Sequence, residues 1–391
     1  MALPVDAGVY YTGIFWNSYE QVIAHLNQRA YDLESGSWVE HLRTRRTEPY
    51  ERALSLNCGN GWVERSLVAA GVVRSIVAVD FLEPLLQTAR EASVGQPIEF
   101  VQMDTNAAEF PPGPYDLVVN HAAGHHIANL DRVFRRLREL LEPDGTLVTW
   151  DYTGPHRNQY GRRIWEAAHA VNRRLPVEYR SPMAYPHLPT MLVADPTEAV
   201  HSELLLETMD RYFVPIHQRS LGGPIAYLLL THNERLYAAP PEERDPLVRM
   251  ILAADIEHIE NFPEDNLFTF AISRPRPATE LAPEMLARWA RAEDEREQQA
   301  AAGDGRYYLP TPIQLAEYGA GSGAPSPAGS EPTPYEAALR GVRFNAAALV
   351  RSVAIRVPAV IPVLRALRSA ARAVGGRRRR HSGEDAAAPG R

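Results

Sequence analysis

A short apolar run that ends in a glycine-bearing loop and leads directly into a helix sets the strongest constraint on the fold. The run ALSLN, at residues 53–57, is followed by Gly59 and Gly61, and WVERSLVAAG then continues with helical periodicity. Because glycine has no Cβ, the backbone at such a turn can approach a ligand closely at the start of the following helix. The pattern therefore predicts a loop that binds a ligand largely through its backbone.

Apolar strand-like runs alternate with helical segments throughout this part of the chain. Further strands are predicted at SIVAVD, IEFVQMD, YDLVVNH and TLVTWDY, with helices at EPLLQTAREA and LDRVFRRLRELLEPDG. Two closing strands are predicted at FVPIHQRS and LFTFAISR, with helical sequence between them. Alternation of this kind is typical of an α/β fold, and it predicts a doubly wound, mostly parallel sheet of seven strands.

Changes in composition divide the chain into units. The segment after Tyr152 is too long for an ordinary loop and is predicted to be an inserted cap, after which a helix restarts at Asp195 and Pro196. The compact fold is expected to end near Arg274, before a charged helix around Met285–Gln299. The predicted units are a helical N-terminal segment (1–50), a ligand-binding core (51–152), the cap insertion with the second half of the fold (153–274), a charged helical extension (275–317), and a flexible linker with a basic tail (318–391).

Charge and cysteine content limit the partners and the compartment. Residues 340–391 carry twelve arginines and two acids, a net charge of +10. Because the whole chain has a formal net charge of −7, the first 339 residues carry −17. An acidic body argues against a nucleic-acid partner, which needs a positive surface. The single cysteine, Cys58, cannot form an intrachain disulfide, and the first residues lack the basic flank and apolar run of a signal peptide. These features predict a cytoplasmic protein.

The basic tail has two interpretations. Residues 340–380 combine aliphatic side chains with arginines, which is typical of a segment that contacts an anionic membrane surface peripherally, here the inner face of the membrane. A disordered, solvated tail explains the same composition. Pro358 and Pro362 prevent a continuous helix before about Val363 in either case. The oligomeric state is left open by the sequence.

Two acids at predicted strand ends narrow the choice of ligand. A dinucleotide fold favours a small residue where this chain has Glu64, and a P-loop needs a lysine, which the chain lacks altogether. Asp80 ends the second strand, where a carboxylate can accept from ribose hydroxyls, and Asp104 ends the third, where it can accept from an adenine amine beside Met103 or Thr105. Each acid alone is explained equally well as a helix cap. Together with the glycine loop they predict a nucleoside ligand.

The order of these motifs resembles that of class I S-adenosylmethionine-dependent methyltransferases. ALSLNCGNG resembles their first motif, and AVD, QMDTN, YDLVVNHAAGHHI and LLEPDGTLVTWDY resemble those that follow, over about residues 50–152. Two residues depart from the pattern, since Asn57 replaces a common glycine and Ser55 a common acid. The resemblance implies a Rossmann-like methyltransferase sheet and S-adenosylmethionine as cofactor. The residues that it places around the cofactor are Asn57, Cys58, Gly59, Gly61, Asp80, Phe81, Asp104, Thr105 and Asn120.

The resemblance extends, over about residues 14–274, to a bacterial subgroup often associated with sugar or surface-glycan biosynthesis. Its signatures are similar to GNGWVERSL, DYTGPHRNQY, VNRRLPVEYR and DPTEAVHSELL. The implied acceptor is a small molecule or a glycan, and the cap residues predicted to hold it are Arg157, Gln159, Tyr160, Arg180 and Glu198. Structural ion pairs of these arginines and of Glu198 explain the same residues.

Methyl transfer to a hydroxyl also requires a group that takes the hydroxyl proton. His125 and His126, after the fourth strand, and Asp151, after the fifth, are the candidates at the ligand-binding edge. A packing or capping role is favoured for at least one of the two histidines. No metal is predicted, because no carboxylate at ligand spacing accompanies them or His121.

Three functions are compatible with the sequence. The first is O-methylation of a sugar or glycan hydroxyl, and the second is N- or C-methylation of a small natural product. The third is a non-catalytic S-adenosylmethionine-binding module that recruits partners through its basic tail.

Overall fold

A central seven-stranded sheet organises the computed structural model, which describes residues 13–31, 37–186, 191 and 197–302. The predicted helix start at Asp195 and Pro196 and the basic tail at 340–380 lie outside these residues. The strands are β1 (Tyr50–Ser55), β2 (Val73–Asp80), β3 (Ile98–Gln102), β4 (Tyr115–His121), β5 (Leu141–Tyr152), β6 (Phe213–Gly222) and β7 (Phe268–Pro275).

The sheet has the strand order β3-β2-β1-β4-β5-β7-β6. Strands β1 to β5 are parallel to one another, whereas β7 runs antiparallel to both of its neighbours, β5 and β6. The predicted mostly parallel, seven-stranded α/β fold is confirmed. Because β1 to β5 are parallel, the loops that follow them all meet at one edge of the sheet, which is where ligands bind in such folds.

Helices cover both faces of the sheet. They are α1 (Glu20–Tyr31), α2 (Trp38–Thr44), α3 (Trp62–Ala69), α4 (Glu83–Ala92), α5 (Leu130–Leu140), α6 (Arg162–Asn172), α7 (Leu205–Tyr212), α8 (Ala226–Leu230), α9 (Glu234–Tyr237), α10 (Pro241–Asn261) and α11 (Pro283–Ala302). Within the described parts of the chain, no helix combines the length and apolarity that crossing a membrane requires.

Alternating side chains of the strands divide the core into two layers. In β4, Leu117 and Val119 face a layer that includes residues of α1, α2, α3, α8 and α10. The intervening Val118 faces the opposite layer, which contains Phe134 of α5 and Met209 of α7. This period of two is what a strand that is buried on both faces requires.

The last described helix belongs to the compact fold. Glu293 of α11 is 3% exposed, and its carboxylate accepts from the backbone amides of Asp131 and Arg132 at the start of α5. Such amides lack partners within their own helix, and they favour a negative charge. Trp289 packs edge-on against Tyr212. The compact fold therefore continues beyond Arg274, further than the sequence predicts.

Candidate functional site

The loop after β1 folds tightly although Asn57 stands where a glycine is common. Asn57 has a φ of 43°, and Gly59 and Gly61 have φ values of 56° and 75°. Asparagine tolerates this left-handed region better than most other residues. At Gly61, an added Cβ would lie 2.9 Å from the Phe100 ring. Packing below the loop therefore requires the second glycine.

The Asn57 side chain links the loops that follow three different strands. Its Nδ2 donates to the carbonyl of Ala123 at 3.1 Å, and its Oδ1 accepts from the Thr105 hydroxyl at 2.6 Å. Thr105 is 3% exposed. Its hydroxyl therefore holds the Asn57 side chain in place. The sequence predicted Thr105 beside an adenine ring and did not predict this contact.

Asp80 holds the glycine loop from the end of β2. Its Oδ2 accepts from the Gly59 amide and its Oδ1 from the Leu82 amide, both at 2.8 Å. Burial raises the pKa of Asp80, and these amide contacts oppose the rise. Each oxygen keeps a second lone pair, so ribose hydroxyls can still be accepted. Phe81, directly beside it, is 41% exposed and offers an apolar face.

Asp104 is a helix cap in the structure. Its Oδ1 accepts from the Asn106 amide at 2.9 Å and from the Asn106 side chain at 3.2 Å, at the start of the short helix Thr105–Ala107. This is the capping role that the sequence left open as an alternative to adenine binding. The carboxylate is exposed at the same edge as Asp80.

Asn120, at the end of β4, has an unsatisfied side chain. It is 0% exposed, and neither its Oδ1 nor its Nδ2 has a hydrogen-bond partner among the described residues. Buried amides are rarely left so, which points to a water or a ligand as the missing partner. Together with the glycine loop and Asp80, this polar group fits S-adenosylmethionine.

Cys58 and Glu64 lie below the same loop. Burial, reinforced by the nearby carboxylates of Glu64 and Asp80, raises the pKa of the Cys58 thiol. Cys58 therefore stays a neutral packing group. Ser55, at the end of β1, donates its hydroxyl to Glu64 Oε1 at 2.5 Å, a contact that the sequence did not predict.

A buried histidine and carboxylate lie together at the ends of β4 and β5. The ring Nδ1 of His125 lies 2.6 Å from Asp151 Oδ1. The Asp151 carboxylate is 1% exposed and also accepts from the amides of Ala123, Gly124 and Tyr152. With both oxygens occupied and shielded from solvent, Asp151 is placed to orient His125. The sequence also made Asp151 a candidate for taking the hydroxyl proton directly, and this geometry does not suit that role.

The other ring nitrogen of His125 faces Glu198. His125 Nε2 lies 3.9 Å from Glu198 Oε2. Burial lowers the pKa of His125, but the Asp151 carboxylate outweighs burial and the net pKa is raised. Burial raises the pKa of Glu198, but the charge of His125, the hydrogen bond from Asn158 and the charge of Arg157 oppose this, and the net pKa is lowered. The two groups therefore favour a charged pair, held between Asp151 and the cap.

The neighbouring His126 has a different environment. Its Nδ1 lies 3.1 Å from the Thr197 carbonyl, and burial lowers its pKa to about 4. A neutral ring that donates to a backbone carbonyl is the packed role that the sequence favoured for one of the pair.

The ligand atoms of His125, His126 and Glu198 lie within 4.8 Å of one another. The sequence showed no carboxylate partner for these histidines, but Glu198 supplies one from the cap, so the three side chains form a group that could hold a metal ion. The ion pair of Glu198 with His125 also explains their approach. His121, the third histidine considered for a metal cluster in the sequence analysis, is not in this group. It stacks against Trp38 and Trp150 at centroid distances of 5.6 and 6.3 Å.

Two predicted substrate residues instead build the interior of the cap. Arg157 is 0% exposed and donates from its guanidinium to the Glu198 carbonyl at 3.0 Å. Gln159 is 3% exposed and donates to the carbonyls of Arg157 and Pro186. Asn158 donates to the Glu198 carboxylate at 3.1 Å. These buried contacts hold Glu198 in place, and they correct the expectation that Arg157 and Gln159 grip the substrate directly.

Of the remaining predicted cap residues, Tyr160 is buried near Glu198 and Arg180 is exposed. Burial raises the pKa of Tyr160, as it does for Tyr152 and Tyr227, and the charge of Glu198 adds to the rise in each case. Glu198 is therefore close enough to all three phenol groups to affect their ionisation. Arg180 is exposed and donates to the Leu175 and Arg173 carbonyls of its own loop. A substrate role for Tyr160 or Arg180 stays a prediction.

Comparison with known proteins agrees with this geometry. A family model described as a methyltransferase domain matches residues 54–149. An uncharacterized methyltransferase of Mycobacterium tuberculosis is 32% identical over 139 residues, which cover 34% of this chain and 68% of the relative. A demethylmenaquinone methyltransferase of Thermus thermophilus is 27% identical over 113 residues, 28% of this chain and 51% of that protein.

Among solved structures, an S-adenosylmethionine-dependent methyltransferase from Mesorhizobium loti is 18% identical, covers 60% of this chain and 95% of its own, and has a TM-score of 0.36. The sequence relatives, read with the order of the seven strands, assign the family. This chain belongs to the class I S-adenosylmethionine-dependent methyltransferases and is an enzyme that uses S-adenosylmethionine.

Proposed function

We propose that this enzyme methylates a hydroxyl group of a sugar or glycan and that His125 takes the hydroxyl proton. The observation that carries the proposal is the buried contact of 2.6 Å between His125 Nδ1 and Asp151 Oδ1, with His125 Nε2 directed toward the cap. A histidine oriented in this way by a carboxylate is typical of a general base.

The chemistry divides between the cofactor and the protein. When bound, S-adenosylmethionine supplies an electrophilic methyl group whose sulfonium sulfur leaves as a neutral thioether. His125 takes the hydroxyl proton at Nε2 while the acceptor oxygen forms its bond to the methyl carbon. Asp151 keeps Nδ1 protonated and stabilises the imidazolium that results. Glu198, 3.9 Å from Nε2, adds a second negative charge beside that imidazolium.

The acceptor side of the site supports a polyhydroxylated acceptor. Glu198 and the hydroxyls of Tyr152, Tyr160 and Tyr227 are groups that hydrogen-bond to sugar hydroxyls. The resemblance of the cap sequences to the glycan-associated subgroup points to the same acceptor class. Methylation of a phenolic or quinone carbon is the second candidate, favoured by the Thermus thermophilus relative named for demethylmenaquinone.

An acceptor screen tests the proposal. The full chain is incubated with S-adenosylmethionine and separate pools of nucleotide sugars, methyl glycosides, demethylated quinones and small amines. Formation of S-adenosylhomocysteine identifies an active pool, and nuclear magnetic resonance of the product locates the methyl group. We expect an O-methylated sugar, with turnover that depends on His125. A methyl group on carbon or nitrogen as the dominant product would overturn the proposed acceptor.

A further inference from the structure

Glu64 is a buried carboxyl group that the chemistry above leaves unused. It is 1% exposed and lies in the first turn of α3, directly after the glycine loop. The hydroxyl of Ser55, the last residue of β1, donates to its Oε1 at 2.5 Å. This contact joins the two ends of the loop formed by residues 56–61.

Ser55 is one of the two positions where the first motif departs from the family that it resembles. An acid is common at the strand position that Ser55 occupies, and this chain has a hydroxyl there instead. The helix carries the acid, and the contact of 2.5 Å returns its carboxylate to the end of the strand. The carboxyl group is thus retained at this point of the fold, although it comes from a different element.

We propose that Glu64, through its contact with Ser55, positions the glycine loop for the sulfonium group of S-adenosylmethionine. Glu64 is a positioning residue, because it lies beneath the loop and acts through it. The inference concerns the cofactor alone and holds whichever acceptor is methylated.

The electrostatic surroundings of Glu64 support this role. Its Oε2 has no hydrogen-bond partner among the described residues. Burial raises the pKa of Glu64 to about 7; Ser55 and Arg65 oppose the rise, and Asp80 adds to it. The Cys58 thiol is the other titratable group that faces it. A cation at the loop stabilises the ionised carboxylate, so the cofactor and the charged form of Glu64 favour each other.

Two natural ligands provide the matched probes. S-adenosylmethionine carries a sulfonium charge that S-adenosylhomocysteine lacks, while the rest of the two molecules differs only by the methyl group. Calorimetry on the full chain measures the affinity for both at about pH 6 and about pH 8. We expect the affinity for S-adenosylmethionine to rise by up to about tenfold over this range, and that for S-adenosylhomocysteine to rise less.

The variant Glu64→Gln keeps an acceptor for Ser55 but cannot ionise. At about pH 8 it should bind S-adenosylmethionine about tenfold more weakly, with a smaller loss for S-adenosylhomocysteine. The pH dependence that remains belongs to Asp80 and to the amino group of the cofactor. Glu99→Gln, an exposed carboxylate on β3, is the control and should bind like the wild type.

An exchange of the two residues separates this role from simple packing. Glu64→Ser alone removes the carboxylate, whereas Ser55→Asp with Glu64→Ser places one on the strand. We expect the double variant to bind S-adenosylmethionine within about threefold of the wild-type affinity, whereas Glu64→Ser alone should remain weaker than that.

The inference would be overturned if the double variant bound S-adenosylmethionine no more tightly than Glu64→Ser. It would also be overturned if Glu64→Gln bound with wild-type affinity and pH dependence. If the variants do not fold, the wild type decides, because an identical pH dependence for both ligands contradicts a charge that responds to the sulfonium.

Discussion

The ligand-binding edge of this enzyme consists of two halves that are built differently. The half to which we assign the cofactor, the cofactor half, comprises the loops directly after β1, β2 and β3. It holds its shape through glycines, backbone amides and the Asp80 carboxylate. The half where we propose that the acceptor binds, the acceptor half, comprises the ends of β4 and β5 together with residues 197–200, which return from the cap. His126 and Thr197, for example, are 71 residues apart in the chain. One half is local to the sheet, and the other depends on an insertion.

Because the two halves are built from different parts of the chain, we expect that substitutions can alter them separately. The cofactor half presents fixed backbone dipoles, so changes there should alter the affinity for the cofactor. The acceptor half contains buried charges, His125 against Asp151 and Glu198, so changes there should alter turnover.

Replacing His125 should have the largest effect. His125→Gln removes the proposed proton acceptor, so turnover should fall about 100- to 1000-fold. Calorimetry should show unchanged affinity for S-adenosylmethionine. His126→Gln is the matched control, because its neutral ring packs against Thr197, and it should lose less than about tenfold. A larger loss in His126→Gln than in His125→Gln would transfer the role of base to His126.

Asp80→Ala should produce the converse pattern. It removes a carboxylate that holds Gly59 and can accept from the ribose, so cofactor binding should weaken by roughly 2–4 kcal/mol. Turnover at saturating cofactor should change little, as single-turnover measurements would show. Unchanged cofactor affinity in a folded Asp80→Ala protein would remove Asp80 from the cofactor half.

The stability of the cofactor half should depend on pH through Glu64. Its folded-state pKa of about 7 lies above the ordinary value of 4.5, so its contribution is complete below about pH 4.5 and is lost as the pH rises through about 7. The loss is on the order of 3 kcal/mol. Glu64→Gln cannot ionise, so its free energy of unfolding relative to the wild type should increase between about pH 5 and about pH 8. Urea unfolding without cofactor measures this difference, and a constant difference contradicts a raised pKa.

In the acceptor half, pH should act on turnover through His125. Asp151 holds the pKa of His125 above its ordinary value of 6.5, so the activity of a neutral base should rise as the pH increases through that raised pKa. The charged pair stabilises the fold below about pH 6.5, and this stability is lost over the same rise. Asp151→Asn should lower turnover about tenfold and move the acidic limb of the profile to lower pH. A loss of turnover with an unmoved limb would indicate that Asp151 only packs.

The positions of Gly59 and Asp80 in the cofactor half could be predicted from the sequence because each follows a strand directly, while their contact with the cofactor stays a prediction. They lie at strand ends that the alternation of strands and helices already placed together, and the Gly59 amide donates to the Asp80 carboxylate there. The contact of Glu198 with His125 could not be predicted in this way. Periodicity shows that a residue is buried, but not which distant residue it meets.

The docking of α11 was missed for the same reason, since Glu293 contacts an amide 162 residues earlier. Arg157 shows the opposite error. Its charge suggested a ligand, yet at 0% exposure it meets a backbone carbonyl within the cap.

Asn57 tests whether the two halves are separate at all, because its side chain bridges Thr105 in the cofactor half and the Ala123 carbonyl beside the acceptor half. Asn57→Gly loses both hydrogen bonds but relaxes the left-handed backbone, whereas Asn57→Ala loses them and keeps the strain of a φ of 43°. We expect the alanine variant to be less stable than the glycine variant by about 1 kcal/mol in chemical unfolding. Both variants should change cofactor affinity and turnover together, each by less than about tenfold, because the bridge positions both loops. If only cofactor affinity changes, the bridge transmits nothing to the acceptor half, and the separation of the two halves is complete.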